Sequence, residues 1–541
     1  MSNPAAATLR PVVVRDLSVA FRDREVLTGI DLVGQPGRRI GLVGENGVGK
    51  STLLRAIAGD LPRLARATGQ VDRPDDLAML GQEPPFGESD TVAEVLAMAL
   101  APLHEAVAAV EKLASELDRP DAGAAYACAL DWAVAHDAWD ADRRAAAAAE
   151  RLGLGLLDPQ RRIGTLSGGQ RTRLALASLM TTRPSALLLD EPTNHLDDDA
   201  ITVLGEFVVS LPGVVLLASH DRVLLDDVCT DLVDLDPAEL GTDGFGGRRY
   251  GGGWSEYVDH RQAARRRWEE TYAQQQDQIA DLRATSRIGT GAIAHDRRPR
   301  DNDRFIYGFK GTRVDRTLAR RKKDAQRRLE EAERGQVRKP PARLVFAAPL
   351  PESGGGDGRV IVVRDLVVPD RIELARLDVH AGEHVLVAGP NGSGKSTLLG
   401  VLSGRLAGWR GTVQVTARRV AELEQDPRFV DPRRSAEATY RVAVGEQLAD
   451  QRPLRGLGLL PPADLRKPVA LLSVGQRRRL SLALAIAATP DLLLLDEPTN
   501  HLSLSLADEL ETALQRSPGT VVVATHDRWL RRRWQGSVVA L

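Results

Sequence analysis

Two stretches of the chain, Gly44-Glu45-Asn46-Gly47-Val48-Gly49-Lys50-Ser51-Thr52 and Gly389-Pro390-Asn391-Gly392-Ser393-Gly394-Lys395-Ser396-Thr397, share one pattern, Gly-x-x-x-x-Gly-Lys-Ser. Glycines at those positions let the backbone curl until successive N–H groups face phosphate oxygens at a helix N-terminus. Lysine there adds positive charge, and the serine hydroxyl can hold Mg²⁺. Each copy follows a short apolar run, Ile40 to Val43 or Val385 to Ala388. Two loops of this type imply two bound nucleotides, with ATP and Mg²⁺ as the expected cofactors.

Further chemistry follows each loop in the same order. Gln82 and Gln425 come after apolar runs, and then Leu166-Ser167-Gly168-Gly169-Gln170 and Leu472-Ser473-Val474-Gly475-Gln476. Next are Leu187-Leu188-Leu189-Asp190-Glu191 and Leu493-Leu494-Leu495-Asp496-Glu497, and last Ser219-His220-Asp221 and Thr525-His526-Asp527. The paired serines, aspartates and histidines (167 and 473, 190 and 496, 220 and 526) are all 306 residues apart, the mark of a duplicated unit. The chain resembles an ATP-binding-cassette protein with two cassettes fused in tandem. The expected fold class is therefore α/β, with two tandem P-loop domains at 10–245 and 358–541 joined by a long α-helical hairpin at 246–345.

The cassette resemblance implies an ATP hydrolase in which positioning and charge neutralisation do most of the catalysis. Lys50 and Lys395 are expected on phosphate oxygens, and Ser51 and Ser396 on Mg²⁺ together with Asp190 and Asp496. Glu191 and Glu497 would polarise the attacking water. Gln82 and Gln425 would sense the metal and γ-phosphate, and His220 and His526 would reach the γ-phosphate. Ser167, Gly168 and Gly169, and Ser473 and Gly475, open helices whose positive ends suit a γ-phosphate held on the other cassette. The copies differ: Phe21 stands where the family places an aromatic against adenine, and Val367-Val368-Pro369-Asp370 has none. Asp197 becomes Ser503, and Val474 replaces a glycine.

Composition sets the compartment. A chain of 541 residues with 43% apolar content is long enough for two to four domains. The longest apolar candidate for a membrane span, Val92 to Val110, contains Glu94, His104 and Glu105, and no secretory pattern opens the sequence. Cys128 and Cys229 lack metal-ligand spacing, so both are expected in cores within a reducing cytoplasm.

Two segments are not duplicated. The first cassette has an insertion of about 37 residues near Ala101 to Arg144, alanine-rich and expected to be a helical arm. The 246–345 segment has 25 Lys+Arg against 14 Asp+Glu, about +11, within a chain whose net charge is −2. Trp254, Tyr257, Ala264, Trp268, Tyr272, Ile279 and Leu282 recur at helical steps, as do Val314, Leu318, Ala325, Leu329 and Ala332, which predicts two facing helices about 40 Å long. Their tip, 285–311, combines Arg287, Arg297, Arg298, Arg300 and Arg304 with Phe305, Tyr307 and Phe309, and Arg313 follows. Arginine forks suit phosphates and aromatic faces suit unpaired bases, so this mix points to structured RNA.

Paired cassettes, an arm and a basic helical linker resemble the ABC-F translation factors, and Tyr250-Gly251-Gly252-Gly253-Trp254-Ser255-Glu256-Tyr257 looks like the start of their linker. Arg300-Asp301-Asn302-Asp303-Arg304-Phe305, Gly311-Thr312-Arg313-Val314 and Arg338-Lys339-Pro340-Pro341 are similar to linkers of actinobacterial members that protect ribosomes from macrolide, lincosamide or streptogramin drugs. The resemblance implies a monomer acting on the 70S ribosome from the E site, with its linker toward large-subunit rRNA and P-site tRNA, and with neither membrane nor DNA as partner. Alternatives are a housekeeping factor acting on P-site tRNA and, from another class, the ATPase subunit of a membrane transporter. A DNA-repair or chromosome-organising cassette protein is disfavoured by the short hairpin and the absence of zinc-spaced cysteines.

Overall fold

The computed structural model describes residues 9–541 except 23, 45–46, 82–83, 85, 120–121, 237–247, 288–319, 321–322, 338, 341–357, 391, 425–426, 488–489, 501, 503 and 518. The chain divides into two compact units, one of Met1–Asp236, Phe245–Tyr257 and Ala342–Leu541, the other of Pro237–Gly244 and Val258–Pro341.

The first unit contains the duplication. Apolar runs such as Ala186–Asp190, Val214–Ala218, Leu492–Asp496 and Thr520–Ala524 are buried at every position, as expected for parallel strands covered on both faces. In the first cassette the sheet order is Leu77–Leu80, Ala186–Asp190, Val214–Ala218, Arg39–Val43, Asp231–Asp234, Arg248–Gly251. All neighbours are parallel except the last pair. The second cassette repeats it as Val420–Leu423, Leu492–Asp496, Thr520–Ala524, His384–Ala388, Ser537–Ala540, all parallel. A three-stranded antiparallel sheet accompanies each, Val12–Phe21 with Arg24–Gly34 and Ala65–Asp72, and Arg359–Val368 with Ile372–His380 and Arg410–Val415. Both glycine-rich loops leave the carboxyl end of a strand flanked on both sides, where open parallel sheets form their binding crevice.

The arm is built as three helices, Val92–Ser115, Ala122–Ala135 and Ala141–Arg151. Isolated bridges Thr91–Arg162 and Ser435–Pro468 frame the equivalent region of each cassette, and they enclose steps of 71 and 33 residues, so the extra chain lies between these fixed ends. Thr91 caps its helix reciprocally with Glu94. Leu103, Val110, Ala133, Ala138 and Ala141 make the arm's own core. Val92–Ser115 is long and apolar enough to cross a membrane by length and composition, although in this structure Leu103 and Val110 face neighbouring helices. Cys229 is buried as expected, but Cys128 is exposed. The helix Ala122–Ala135 turns Ala122 and Ala133 inward, with Tyr126, Ala129 and Leu130 packed beside that core, which leaves position 128 on the solvent side.

Residues 248–257, read in sequence as the start of the linker, complete the first cassette. Arg248–Gly251 is its edge strand, Trp254 and Tyr257 are 1% and 2% exposed, and the Tyr257 hydroxyl donates to Asp234 Oδ2 at 2.6 Å. The helix beginning there runs Trp254–Arg287, 34 residues and about 50 Å at 1.5 Å per residue, longer than expected. In the second unit Trp268, Ile279 and Ala325 are buried, and a further helix covers 323–334. The Val337 N–H donates to Gln275 Oε1 at 2.8 Å, and Arg283 pairs with Glu333 at 2.7 Å. One index rises as the other falls, the order of an antiparallel hairpin. The tip residues Arg297, Arg298, Arg300, Arg304, Phe305, Tyr307, Phe309 and Arg313, with Val314 and Leu318, lie outside the described residues, as does the side chain of Arg287.

Candidate nucleotide sites

Each loop depends on backbone that glycine tolerates best. Gly47 and Gly49 sit at φ 86° and 116°, Gly392 and Gly394 at φ 87° and 94°. A Cβ on Gly49 would come within 2.6 Å of Leu27, and one on Gly394 within 2.7 Å of the Arg371 carbonyl, so the loop lies tight against the neighbouring hairpin. Lys50 and Lys395 begin the helices Lys50–Ala58 and Lys395–Leu402, both buried. Their Nζ atoms bridge the loop, Lys50 to Gly44 O at 2.8 Å and Lys395 to Gly389 O and Pro390 O at 2.8 and 2.9 Å. Burial lowers the Lys50 pKa, and the nearby Glu191 carboxylate opposes that.

The strand-end carboxylates face the loops. Ser51 Oγ donates to Asp190 Oδ1 at 2.9 Å, and Ser396 bonds Asp496 in the other copy. Burial raises both aspartate pKa values. Asp190 Oδ2 and Asp496 Oδ1 are buried without a hydrogen-bond partner. Among the described residues no three His, Cys, Asp or Glu side chains group as a metal site. One hydroxyl and one carboxylate with an uncommitted oxygen fit Mg²⁺, which usually takes its remaining ligands from phosphate and water.

Glu191 and Glu497 follow directly, at φ 51° and 50°. A non-glycine residue held there costs about 1–3 kcal/mol, a strain that clusters at functional positions. In both copies a backbone N–H two residues past a fully buried strand donates to the carboxylate, His220 after Val214–Ala218 to Glu191 Oε2 and His526 after Thr520–Ala524 to Glu497 Oε1, each at 3.1 Å. Burial pushes Glu191 up to about 7. His220 Nε2 lies 3.4 Å from Glu191 Oε1, and His526 Nδ1 lies 2.8 Å from Glu497 Oε1, a bond that raises the His526 pKa. Thr525 Oγ1 also donates to Glu497 Oε2 at 2.9 Å.

Asp370, Arg371, Gly392, Gly394, Lys395, Ser396, Thr397, Glu497 and His526 line one cavity of about 510 Å³. Phe21 is half-buried against the cluster beneath the first loop, while the exposed Asp370 and Arg371 stand at the corresponding hairpin end. Ser167 and Ser473 start separate helices, each accepting from the N–H of the glutamine three residues on, Gln170 or Gln476, at 3.2 Å. Val474, in place of glycine, is 50% exposed there, and Asp197 caps Asp198–Ser210 by accepting from the Ala200 N–H at 2.9 Å. Gly168 and Gly475 lie in the first turn of these helices, and Gly169 lies against the His195 carbonyl. Thr52 is half-buried in the first turn after Lys50. Glu45, Asn46, Gln82, Asn391, Gln425 and Ser503 are outside the described residues.

The ABC transporter family model matches residues 27–194 and 372–500. Over 537 residues the chain is 37% identical to the tylosin resistance ATP-binding protein TlrC of Streptomyces fradiae, covering 96% of this chain and 95% of that one. It is 31% identical to the energy-dependent translational throttle protein EttA of Mycobacterium tuberculosis, covering 96% and 90%. The chain belongs to the ABC-F family. Among solved structures it is similar to an archaeal ribosome recycling factor, aABCE1, crystallised with the ribosomal stalk protein aP1, at TM-score 0.52 and 17% identity over 93% of this chain and 83% of that one. That likeness carries the tandem-cassette fold alone. As an ABC-F protein the chain binds ATP and hydrolyses it.

Sequence reasoning missed three ABC-F residues that the structure places at or beside these sites. Arg478 reaches under the second site to the Asp496 carbonyl at 2.6 Å and to the Glu497 carbonyl, where the first cassette has Thr172. Thr499 donates to Asp527 at 3.0 Å, and Arg222 crosses from the first cassette to the second. Only the repeat of His-Asp-Arg at 220–222 and 526–528 signalled the last in sequence.

Proposed function

We propose that this ABC-F ATPase binds the 70S ribosome in the cytoplasm and uses its linker tip to protect the peptidyl-transferase region from a macrolide, lincosamide or streptogramin antibiotic. The observation that carries the reading is end-to-end similarity to a tylosin resistance protein, 37% identical over nearly the full length of both chains. The basic linker agrees with it, since about +11 of charge on a helical hairpin is suited to folded RNA. In this reading the protein works from the E site, its linker directed at large-subunit rRNA and P-site tRNA.

At each site Lys50 or Lys395 and the loop N–H groups hold phosphate oxygens, while Ser51 with Asp190, or Ser396 with Asp496, holds Mg²⁺. Mg²⁺ held there would neutralise charge on the phosphate oxygens during transfer of the γ-phosphoryl group to water. Glu191 and Glu497 orient water, fixed by the backbone of His220 and His526, and Gln82 and Gln425 report occupancy. Ser167 and Ser473 close the site held on the opposite cassette, so nucleotide joins the two halves and hydrolysis releases them.

The test is growth of a drug-sensitive host expressing the chain in the presence of tylosin. Tolerance above the empty-vector strain is expected. Unchanged tolerance to tylosin and to lincosamide and streptogramin drugs would overturn the resistance reading and favour a housekeeping translation factor, the reading supported by 31% identity to translational throttle proteins.

A further inference from the structure

Both cassettes place an arginine directly after the histidine and aspartate that close the site, Arg222 and Arg528, again 306 apart. Each crosses to the other cassette, and the two crossings are unequal. The Arg222 side chain is 1% exposed, donates from Nη1 to Asp508 Oδ1 at 2.8 Å and from Nη2 to Asp527 Oδ2 at 2.6 Å, and has Glu511 as a third carboxylate against Nη2. Arg528 is 18% exposed and comes only to 3.5 Å from Asp221 Oδ2 and 3.9 Å from Asp198 Oδ1. A dehydrated guanidinium fork fixes its partners far more firmly than a wet, longer pair.

What Arg222 fixes is the frame of the second site. Asp527 divides its oxygens: Oδ1 accepts from the Trp529 and Leu530 N–H groups at 2.9 and 3.3 Å, and Oδ2 accepts from Arg222 and from Thr499 Oγ1 at 3.0 Å. Asp527 follows His526, whose ring is 2.8 Å from Glu497, and Thr499 lies two residues beyond Glu497. Asp527 therefore joins both backbone segments that carry the second site's glutamate and histidine, and one side chain of the first cassette holds the Asp527 oxygen that makes the link.

We propose that Arg222 is a positioning residue for ATP hydrolysis at the second site, acting across the cassette boundary through Asp527 and Thr499 on His526 and Glu497. The proposal rests on the reading that Glu497 serves hydrolysis there. At the aspartate beside each histidine the coupling is unequal, because Arg528 comes only to 3.5 Å from Asp221. The closer pairs that the second cassette sends back, Arg531 to Asp198 at 2.7 Å and Arg532 to Asp227 at 3.0 Å, do not touch the residue next to His220.

The experiment isolates each site in the full chain. In Glu191→Gln protein the remaining turnover belongs to the second site. Arg222→Lys keeps the buried charge, so the fold survives, but loses the fork. Turnover number at the second site is expected to fall about tenfold with KM within about twofold, as for a misplaced catalytic group. In Glu497→Gln protein the same Arg222→Lys change is expected to leave first-site turnover within about twofold, although Arg222 is only two residues from His220. A general loss of folding would strike both sites. Equal losses at both sites, a loss at the first site alone, or no loss at the second overturns the proposal. If Glu191→Gln alone abolishes turnover, the hydrolytic reading of Glu497 falls as well; turnover that persists and ignores Arg222→Lys removes only the cross-cassette role.

Discussion

Glu191 and Glu497 share a place in the duplication and a strained backbone, yet their surroundings differ. Both accept a histidine backbone N–H, but Glu497 also receives a threonine hydroxyl and a histidine ring at 2.8 Å, whereas the ring beside Glu191 lies at 3.4 Å. Burial holds the Glu191 pKa at about 7, and a base must be ionised to polarise water. With Glu497→Gln silencing the other site, kcat/KM for ATP is expected to fall about tenfold per pH unit below about 7 and to level off above it. A profile flat from pH 5.5 to 8 would remove Glu191 as the base. The phosphate kit was legible because its residues are contiguous, and the 306-residue repeat supplied the register. Arg222 was not legible as a site residue, because its partners Asp508, Glu511 and Asp527 lie 286 to 305 residues away and the repeated His-Asp-Arg names none of them.

At the scale of elements, the helix Leu504–Gln515 brings Asp508 and Glu511 to Arg222, and three carboxylates around one guanidinium are one or two too many. Burial pushes Glu511 up to about 7, above its unfolded value of 4.5, so its ionised form burdens the native state as pH rises between those values. Glu511→Gln is therefore expected to raise Tm by a few degrees at pH 8 and to leave it unchanged below pH 4.5, where the side chain is protonated in both states. Lower stability at pH 8 would show that the Arg222 pairing outweighs desolvation. The arm and the hairpin were readable as helices from alanine content and from the Trp268–Ile279 periodicity. The edge strand Arg248–Gly251 was missed, because Arg-Arg-Tyr-Gly, exposed but for a half-buried Tyr250, carries no strand pattern, and tertiary pairing with Asp231–Asp234 makes it one. Shortening the tip between 285 and 311 is expected to abolish drug protection while leaving basal ATP hydrolysis within about twofold, since the tip is remote in sequence from every site residue. Equal tolerance with and without the tip would sink the linker's role.

The whole molecule combines two phosphate sites, held in one compact unit by arginines exchanged between cassettes, with a second unit made of a basic helical hairpin. A formal charge of −2 conceals that division, about +11 on the hairpin segment and about −13 elsewhere. In the proposed function nucleotide joins the cassettes while the protein is on the ribosome, a reading that requires occupancy and ribosome binding to rise together. The direct measurement is sedimentation of the Glu191→Gln, Glu497→Gln protein with 70S ribosomes through a sucrose cushion. With ATP and Mg²⁺ the protein is expected in the ribosomal pellet, and without nucleotide in the supernatant; protein left in the supernatant under both conditions would contradict a ribosome-directed ATPase.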